Sequence, residues 1–284
     1  MKRQKRIALI NDMTGFGRCS IAVELPLISA MKIQACPLPT AILSVHTGFP
    51  QHYIDDYTER MVPYMENWAV NGLEFDGICT GFLGSVAQIN IVEEFIQRFK
   101  KPFTKVMVDP VMGDYGKLYS SYTPEICHEM KRLLAHADLL TPNLTEACQL
   151  LDMEYPENGD IREEELAKLA KALADKGPEQ VVITGLHAEG KVLNFVYEKN
   201  GCQSIVSQSK IGGDRSGTGD AFAAIVAASL IKGESLSVAV NKAAEFITKV
   251  LGYTVELDLP WNYGLAFEEY LTAVSYTHLR AHET

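Results

Sequence analysis

The segment Gly213-Asp-Arg-Ser-Gly217-Thr-Gly219-Asp220, followed at once by the apolar run 221–231, holds the residues best suited by type and spacing to do chemistry. Glycines among small polar residues let the backbone turn tightly and bring its N–H groups close to a ligand. A helix that begins there points the positive end of its dipole at the same spot, which suits an anion. Asp220, in the first turn, sets a carboxylate beside that anion. A negative side chain next to a phosphate is electrostatically unfavourable unless it has a task, such as taking a proton from an attacking hydroxyl. Gly217, Thr218, Gly219 and Asp220 are therefore candidate catalytic residues for phosphoryl transfer. Taken alone, the string is equally a loop whose acidic end favours the helix dipole, because short glycine-rich strings are common.

Two further carboxylates are candidate metal ligands. Asp109 closes the apolar run 105–108, and Glu146 follows Thr141-Pro-Asn143. Magnesium takes oxygen ligands, keeps several waters and is usually held by one or two carboxylates together with substrate phosphates. Asn143-x-x-Glu146 is also a capping-box helix start, and Asp109-Pro110 is also turn chemistry, so each has a purely structural alternative. Gly15-x-Gly17 after the first apolar run has Ser20 where a dinucleotide fingerprint needs its third glycine, and no P-loop string is present. His46 with Thr47 lies in the polar-aromatic stretch Ser44-Val-His-Thr-Gly48-Phe-Pro, whereas His52, His128, His136 and His187 stand apart and read as structural.

These residues need a scaffold. Strand-like runs at 6–10, 34–38, 75–80, 105–108, 138–140 and 180–184 alternate with helix-like segments at 19–31, 54–70, 85–99, 124–135, 144–151 and 161–176. Such alternation predicts βα units around a mainly parallel sheet whose strands are buried on both faces. Runs 191–197 and 203–207, with Asn200-Gly201 between them, predict a hairpin at one edge. Helices at 220–231 and 236–251 follow, with Gly233 as the stop between them. Small, polar and acidic residues gather where the strands end, at Asn11-Asp12, Gly81, Asp109, Asn143 and Thr184. Open parallel sheets bind ligands at that edge. Without a linker or an internal repeat, residues 1–274 read as a single domain.

Composition narrows the class. The 284 residues are 47% hydrophobic and 22% charged, as in an ordinary soluble globular protein, and the net charge of −10 disfavours nucleic acid or an anionic membrane as partner. Six scattered cysteines without a Cys-x-x-Cys pair read as reduced thiols of a cytoplasmic protein, and no apolar run is long enough for a signal peptide core or a membrane span. Residues 275–284 show no periodicity and read as a non-native tail, so His278 and His282 are discounted as ligands.

Four motifs in order, Asp109-Pro-Val-Met-Gly113, Thr141-Pro-Asn-Leu-Thr-Glu146, Val182-Ile-Thr184-Gly185 and Gly217-Thr-Gly-Asp220, resemble the ribokinase-like superfamily, and most closely its pyridoxal/pyridoxamine kinase branch. Thr80-Gly-Phe-Leu-Gly84 and the segment 39–48 resemble that branch too, and the resemblance spans roughly residues 6–270. It implies a three-layer α/β sandwich without a large lid domain, and transfer of phosphate from ATP to the 5′-hydroxymethyl group of a B6 vitamer. Asp220 is then the base, Gly217–Gly219 the anion hole, Asp109 and Glu146 the Mg²⁺ carboxylates with Asn143 nearby, and Thr184 and Thr218 neighbours of ATP. Asp12, His46 and Thr47 are then the contacts to the pyridine ring. K⁺ is an optional further cation, and a homodimer is implied. Two departures are Asn11-Asp12 where the branch often carries Ser after strand one, and Val45 where it carries Asn; Asp12 beside a ring nitrogen or an amine would favour pyridoxamine. A hydroxymethylpyrimidine (phosphate) kinase shares these motifs, and a non-catalytic vitamin- or nucleotide-binding protein is the alternative outside enzymes.

Overall fold

The computed structural model describes residues 3–275. In chain order its first half runs β1 (Arg6–Thr14), α1 (Ile21–Ala30), β2 (Gln34–Leu43), β3 (Ile54–Asp56), α2 (Thr58–Val70), β4 (Gly77–Thr80), α3 (Val86–Phe99) and β5 (Lys105–Val108). A small hairpin of β6 (Gly113–Asp114) and β7 (Lys117–Leu118) precedes α4 (Pro124–Met130), β8 (Leu139–Leu140), α5 (Leu144–Leu150) and α6 (Glu163–Ala174). The chain then forms β9 (Gln180–Ala188), β10 (Lys191–Glu198), β11 (Gln203–Ser209), α7 (Thr218–Ile231), α8 (Leu236–Glu256) and α9 (Leu271–Ser275). The rest of the 275–284 tail, with its two histidines, lies outside the described residues.

Nine strands make one sheet in the order β11-β10-β9-β8-β5-β4-β1-β2-β3. The six from β9 to β2 are parallel, and antiparallel strands finish both edges. Side chains of each parallel strand alternate between two apolar layers, because successive strand residues face opposite ways. Ala8, Ile10, Val106, Val108, Val181 and Ile183 pack towards α2–α6, while Ile7, Leu9, Met107 and Val182 pack towards α1, α7 and α8. The three-layer α/β arrangement expected from the alternating runs is the one observed.

Three local expectations need correction. Residues 54–56 are an edge strand on β2 and the helix starts only at Thr58, because Tyr57 N–H bonds back to the Thr40 carbonyl and Asp56 caps Thr58 N–H. β1 continues to Thr14, so Asn11 and Asp12 lie inside a strand, opposite a register shift in β2 between Pro39 and Ile42. β9 likewise runs past Thr184 to Ala188, through Gly185 at φ 67°, where it pairs with β10. Bulges of this kind re-aim side chains and recur beside binding sites. Here the buried Asn11 and Asp12 are both held at the carboxyl edge of the sheet.

Candidate active site

At that edge lies a cavity of about 350 Å³. Its floor comes from strand ends, with Asp109 after β5, Thr141 and Asn143 after β8 and Thr184 in β9. The start of α7 closes one side, and Ile247 and Leu251 of α8 supply an apolar wall. The tertiary structure thus brings together Asp109, Asn143, Glu146, Thr184, Gly217, Thr218, Gly219 and Asp220, all of which line this space.

Gly217 is the N-cap of α7 with φ 77°, and no side chain caps the helix. A Cβ at Gly217 would run into the Arg18 carbonyl, so this position needs glycine for both its backbone angle and its space. The first N–H groups of a helix lack internal partners and, with the dipole, form an anion site. Thr218 turns its hydroxyl back onto the Arg215 carbonyl at 2.8 Å, which steadies the turn.

Asp220, the third helical residue, is held from two sides. Its Oδ2 accepts the Ser20 N–H at 2.8 Å and its Oδ1 accepts the Asn11 side-chain amide at 3.4 Å. Burial pushes its carboxyl up to about 6, against the Ser20 N–H, which lowers it; the Asp12 charge raises it further. A base with this value is ionised at neutral pH yet still able to hold a proton.

Asp109 and Glu146 face each other's charge. Burial raises both well above the usual carboxylate range; Asp220 adds to this at Asp109, and Asp109 adds to it at Glu146. Glu146 completes the capping box of α5: its N–H bonds to Asn143 Oδ1 at 3.0 Å, and its Oε2 accepts the Asn143 N–H at 2.8 Å. Its Oε1 accepts the Met112 N–H at 3.1 Å. The structural role foreseen for Asn143-x-x-Glu146 is therefore real, and it orients the same carboxylate towards Asp109. Among the described residues no donor reaches the Asp109 carboxylate, and no cluster of three or more His, Cys, Asp or Glu forms a complete metal cage.

Asp12, His46 and Thr47 do not line the cavity. Asp12 is turned inward, 6% exposed, and accepts the Ser20 hydroxyl at 2.5 Å and the Thr14 hydroxyl at 2.7 Å. His46 Nε2 lies 2.8 Å from the Asn262 carbonyl and Nδ1 accepts the Gly48 N–H at 3.1 Å, a pattern that fixes the proton on Nε2. Phe16, Phe49, Trp261 and Tyr263 gather around it, tying the 46–49 loop to the 15–18 loop and to residues 261–264. Thr47 is exposed.

Several partnerships in and behind the cavity were not legible in the sequence. Tyr115, in the β6–β7 turn, stacks on His187 and donates to Asp214 at 2.7 Å, joining that turn to the end of β9 and to the segment before α7 beside the cavity. His187 is thus paired, by a partner 72 residues away that no spacing rule reveals. Asn11 and Ser20, which grip Asp220, sit 209 and 200 residues before it. Ser20 adopts φ 53° and ψ −140°, an unusual conformation for a residue with a side chain. Its place in Gly15-x-Gly17-x-x-Ser20, where a glycine fingerprint would demand freedom, was the only hint.

The sequence pattern of the phosphomethylpyrimidine kinase family matches residues 20–261. A Bacteroides thetaiotaomicron crystal structure, of a protein provisionally named a phosphomethylpyrimidine kinase, is 37% identical with a TM-score of 0.93, covering 96% of this chain and 94% of that one. A second crystal form under the same name, with pyridoxal, is 36% identical with a TM-score of 0.92 and covers 96% of each chain. The pyridoxine kinase of Bacillus subtilis is 32% identical over 64% of this chain, and the thiamine biosynthetic bifunctional enzyme of Arabidopsis thaliana is 25% identical over 84% of it. The chain spans 65% of the length of the Bacillus protein and 44% of the Arabidopsis protein. With the family pattern running from the start of α1 to the loop beyond α8, the chain belongs to the phosphomethylpyrimidine kinase family.

Proposed function

We propose that the protein is an ATP-dependent kinase that phosphorylates the 5′-hydroxymethyl group of pyridoxal, pyridoxamine or pyridoxine, giving ADP and the 5′-phosphate. The observation that carries this reading is Asp220: a carboxylate held by Ser20 and Asn11 at the uncapped start of α7, on the wall of a cavity of about 350 Å³, within the size range of small-molecule sites. A protein that only bound its ligand would have no use for an acid beside an anion site.

Phosphoryl transfer asks for in-line positioning and charge neutralisation more than covalent help. Asp220 accepts the proton of the substrate alcohol as that oxygen attacks the terminal phosphorus. The amides of Thr218, Gly219 and Asp220 receive the charge that builds on the moving phosphoryl oxygens. Thr184 and Thr218 lie along the phosphates, and Ile247 and Leu251 offer the apolar wall for the base.

Five carboxylates line the cavity (Asp109, Asp114, Glu146, Asp214 and Asp220), a poor reception for ATP without a cation. The donor set fits Mg²⁺: oxygen only, two mutually repelling acids, and an Asp109 carboxylate without a protein donor. Asp109 and Glu146 would hold it, with Asn143 fixing Glu146, and it would supply charge neutralisation on the phosphates. Asp12, His46 and Thr47 form the alcohol side. Asp12 acts there by holding Ser20 and Thr14, His46 by tying down its loop, and Thr47 by offering an exposed hydroxyl.

The second reading, a hydroxymethylpyrimidine kinase, is favoured by the name of the matched family and by the Arabidopsis thiamine enzyme. ADP release from Mg·ATP should be measured with pyridoxal, pyridoxamine, pyridoxine and hydroxymethylpyrimidine side by side. Turnover confined to the B6 forms supports the first reading, preference for the pyrimidine supports the second, and silence with all four removes both.

A further inference from the structure

Beneath the cavity, α1 carries an acid that neither the sequence motifs nor the reaction above employs. Glu24 is 5% exposed on a helix otherwise buried through Ile21, Val23, Leu27 and Ile28, and no basic group among the described residues pairs with it. A packed hydrophobe at this place would avoid the penalty of burying an unpaired acid. The penalty here is real, since burial lifts the carboxyl well above its ordinary range and the Asp220 charge adds to it.

Among the described residues, one side chain hydrogen-bonds Glu24. Its Oε1 accepts the Asn11 Nδ2 at 3.2 Å. Asn11 is the hub of the site floor. Its Oδ1 accepts the N–H groups of Asp12 at 2.9 Å and Phe82 at 2.8 Å, which fixes which end of the amide is oxygen. The two hydrogens on Nδ2 then go to Glu24 and to Asp220, 3.4 Å away. A Cβ at Gly81 would collide with this amide, so the neighbouring backbone is shaped around it. Among the described residues, the other Glu24 oxygen and the Thr80 hydroxyl have no protein partner. Both residues line a small cavity of about 10 Å³, which also touches Asp109 and is room for a single water.

We propose that Glu24 is a positioning residue for phosphoryl transfer: it holds the Asn11 amide against Asp220, with one ordered water completing its bonds at Thr80. The inference rests on the kinase reading for its kinetic consequence and on geometry alone for its structural one. With Glu24 in place the Asn11 amide has one orientation, and the Asp220 carboxylate is fixed at both oxygens. Without it one amide hydrogen is left unpaired in a buried place, and the amide, still held at its oxygen by the Asp12 and Phe82 N–H groups, loses the bond that sets its tilt towards Asp220.

The test combines kinetics with crystallography. Glu24→Ala should lower kcat roughly tenfold, the size expected for losing one hydrogen bond that orients a charged group, with KM for ATP changed less than about twofold. Glu24→Gln, which still accepts from Asn11, should recover most of that loss. Wild-type kcat in Glu24→Ala, or equal damage in both variants, would overturn the proposal. If Glu24→Ala does not fold, a crystal structure of the wild type decides it. An Asn11 amide shared between Glu24 and Asp220, with a water on Thr80, supports the proposal; an amide turned away from Asp220 defeats it. That structure also separates the two failures, since a wild type without turnover removes the kinase reading while the Asn11 geometry still reports on Glu24.

Discussion

The backbone N–H of Ser20 donates to the Asp220 carboxylate at 2.8 Å, joining residues 200 positions apart behind a residue that lines the cavity. Ser20 reaches this bond in an unusual backbone conformation, and in the same pose its hydroxyl meets Asp12. The start of α1 and the start of α7 are thereby locked together, so the Asp220 carboxylate is held in one orientation.

Asp220→Asn should lower kcat by about 10²–10⁴, the usual worth of base catalysis, while ATP binding persists. Since Asp220 must be ionised and its carboxyl lies at about 6, kcat/KM of the wild type should fall as pH drops through 6. A pH–rate profile flat from 5 to 8, or near-normal turnover in the variant, would remove Asp220 from this role.

The same carboxyl predicts a stability trend in the unliganded, metal-free protein. Its folded value of about 6 exceeds the ordinary 3.8, so the folded state binds the proton more tightly than the unfolded chain. This contribution is complete below about 4 and is lost as pH rises through 6. Thermal melts should therefore show Tm declining from pH 5 to 7.5, with a shallower decline in Asp220→Asn. An identical slope in both proteins would contradict the assignment.

Gly217 and Gly219 should respond differently to alanine. Gly217→Ala forces a side chain to φ 77° and against the Arg18 carbonyl, so it should destabilise the protein and abolish turnover. Gly219 lies inside the helix with open space around its Cβ position, and alanine there should leave Tm unchanged or raise it, since helical glycine costs up to ~1 kcal/mol. A fall in kcat for Gly219→Ala without loss of Tm would mark the close approach of the transferred phosphate.

Asn143 and Asp109 separate folding from metal use. Asn143→Ala removes the cap of α5 and should cost about 1 kcal/mol, read as a Tm lower by a few degrees. Asp109→Asn leaves the Asn143–Glu146 hydrogen bonds at the start of α5 in place, so its effect should appear as a higher Mg²⁺ requirement at near-normal Tm. Unchanged Mg²⁺ dependence in Asp109→Asn would move the cation elsewhere.

His46→Ala breaks the bonds to Asn262 and Gly48 and empties the centre of the aromatic cluster. KM for the alcohol should rise at least several-fold while KM for ATP stays put. A variant that changes only KM for ATP would show that this cluster serves the nucleotide instead.

Much of this molecule is written locally. Periodicity located the parallel strands and most helices, because a strand buried on both faces leaves a continuous apolar run and a surface helix leaves a 3.6-residue stripe. The Gly217–Asp220 turn, the Asn143–Glu146 box and Asp109 were readable for a similar reason: each is a short segment whose residue types constrain its own backbone. What the sequence could not disclose is partnership at long range. That Asp12 points inward to Ser20 and Thr14, that His46 spends both ring nitrogens on backbone, and that Tyr115 meets His187 all follow from how strand ends and the segments between them are brought together by the fold. Strand continuation at β1 and β9 was hidden as well, since polar residues stop an apolar run but not a hydrogen-bond ladder with a neighbour. By itself the sequence determined the sheet, its carboxyl edge and the acids that gather there, because those depend on residue type and order. Only the tertiary structure decided which acid is gripped, by whom and at what proton affinity, because burial and hydrogen-bond geometry exist only once the chain has closed around them.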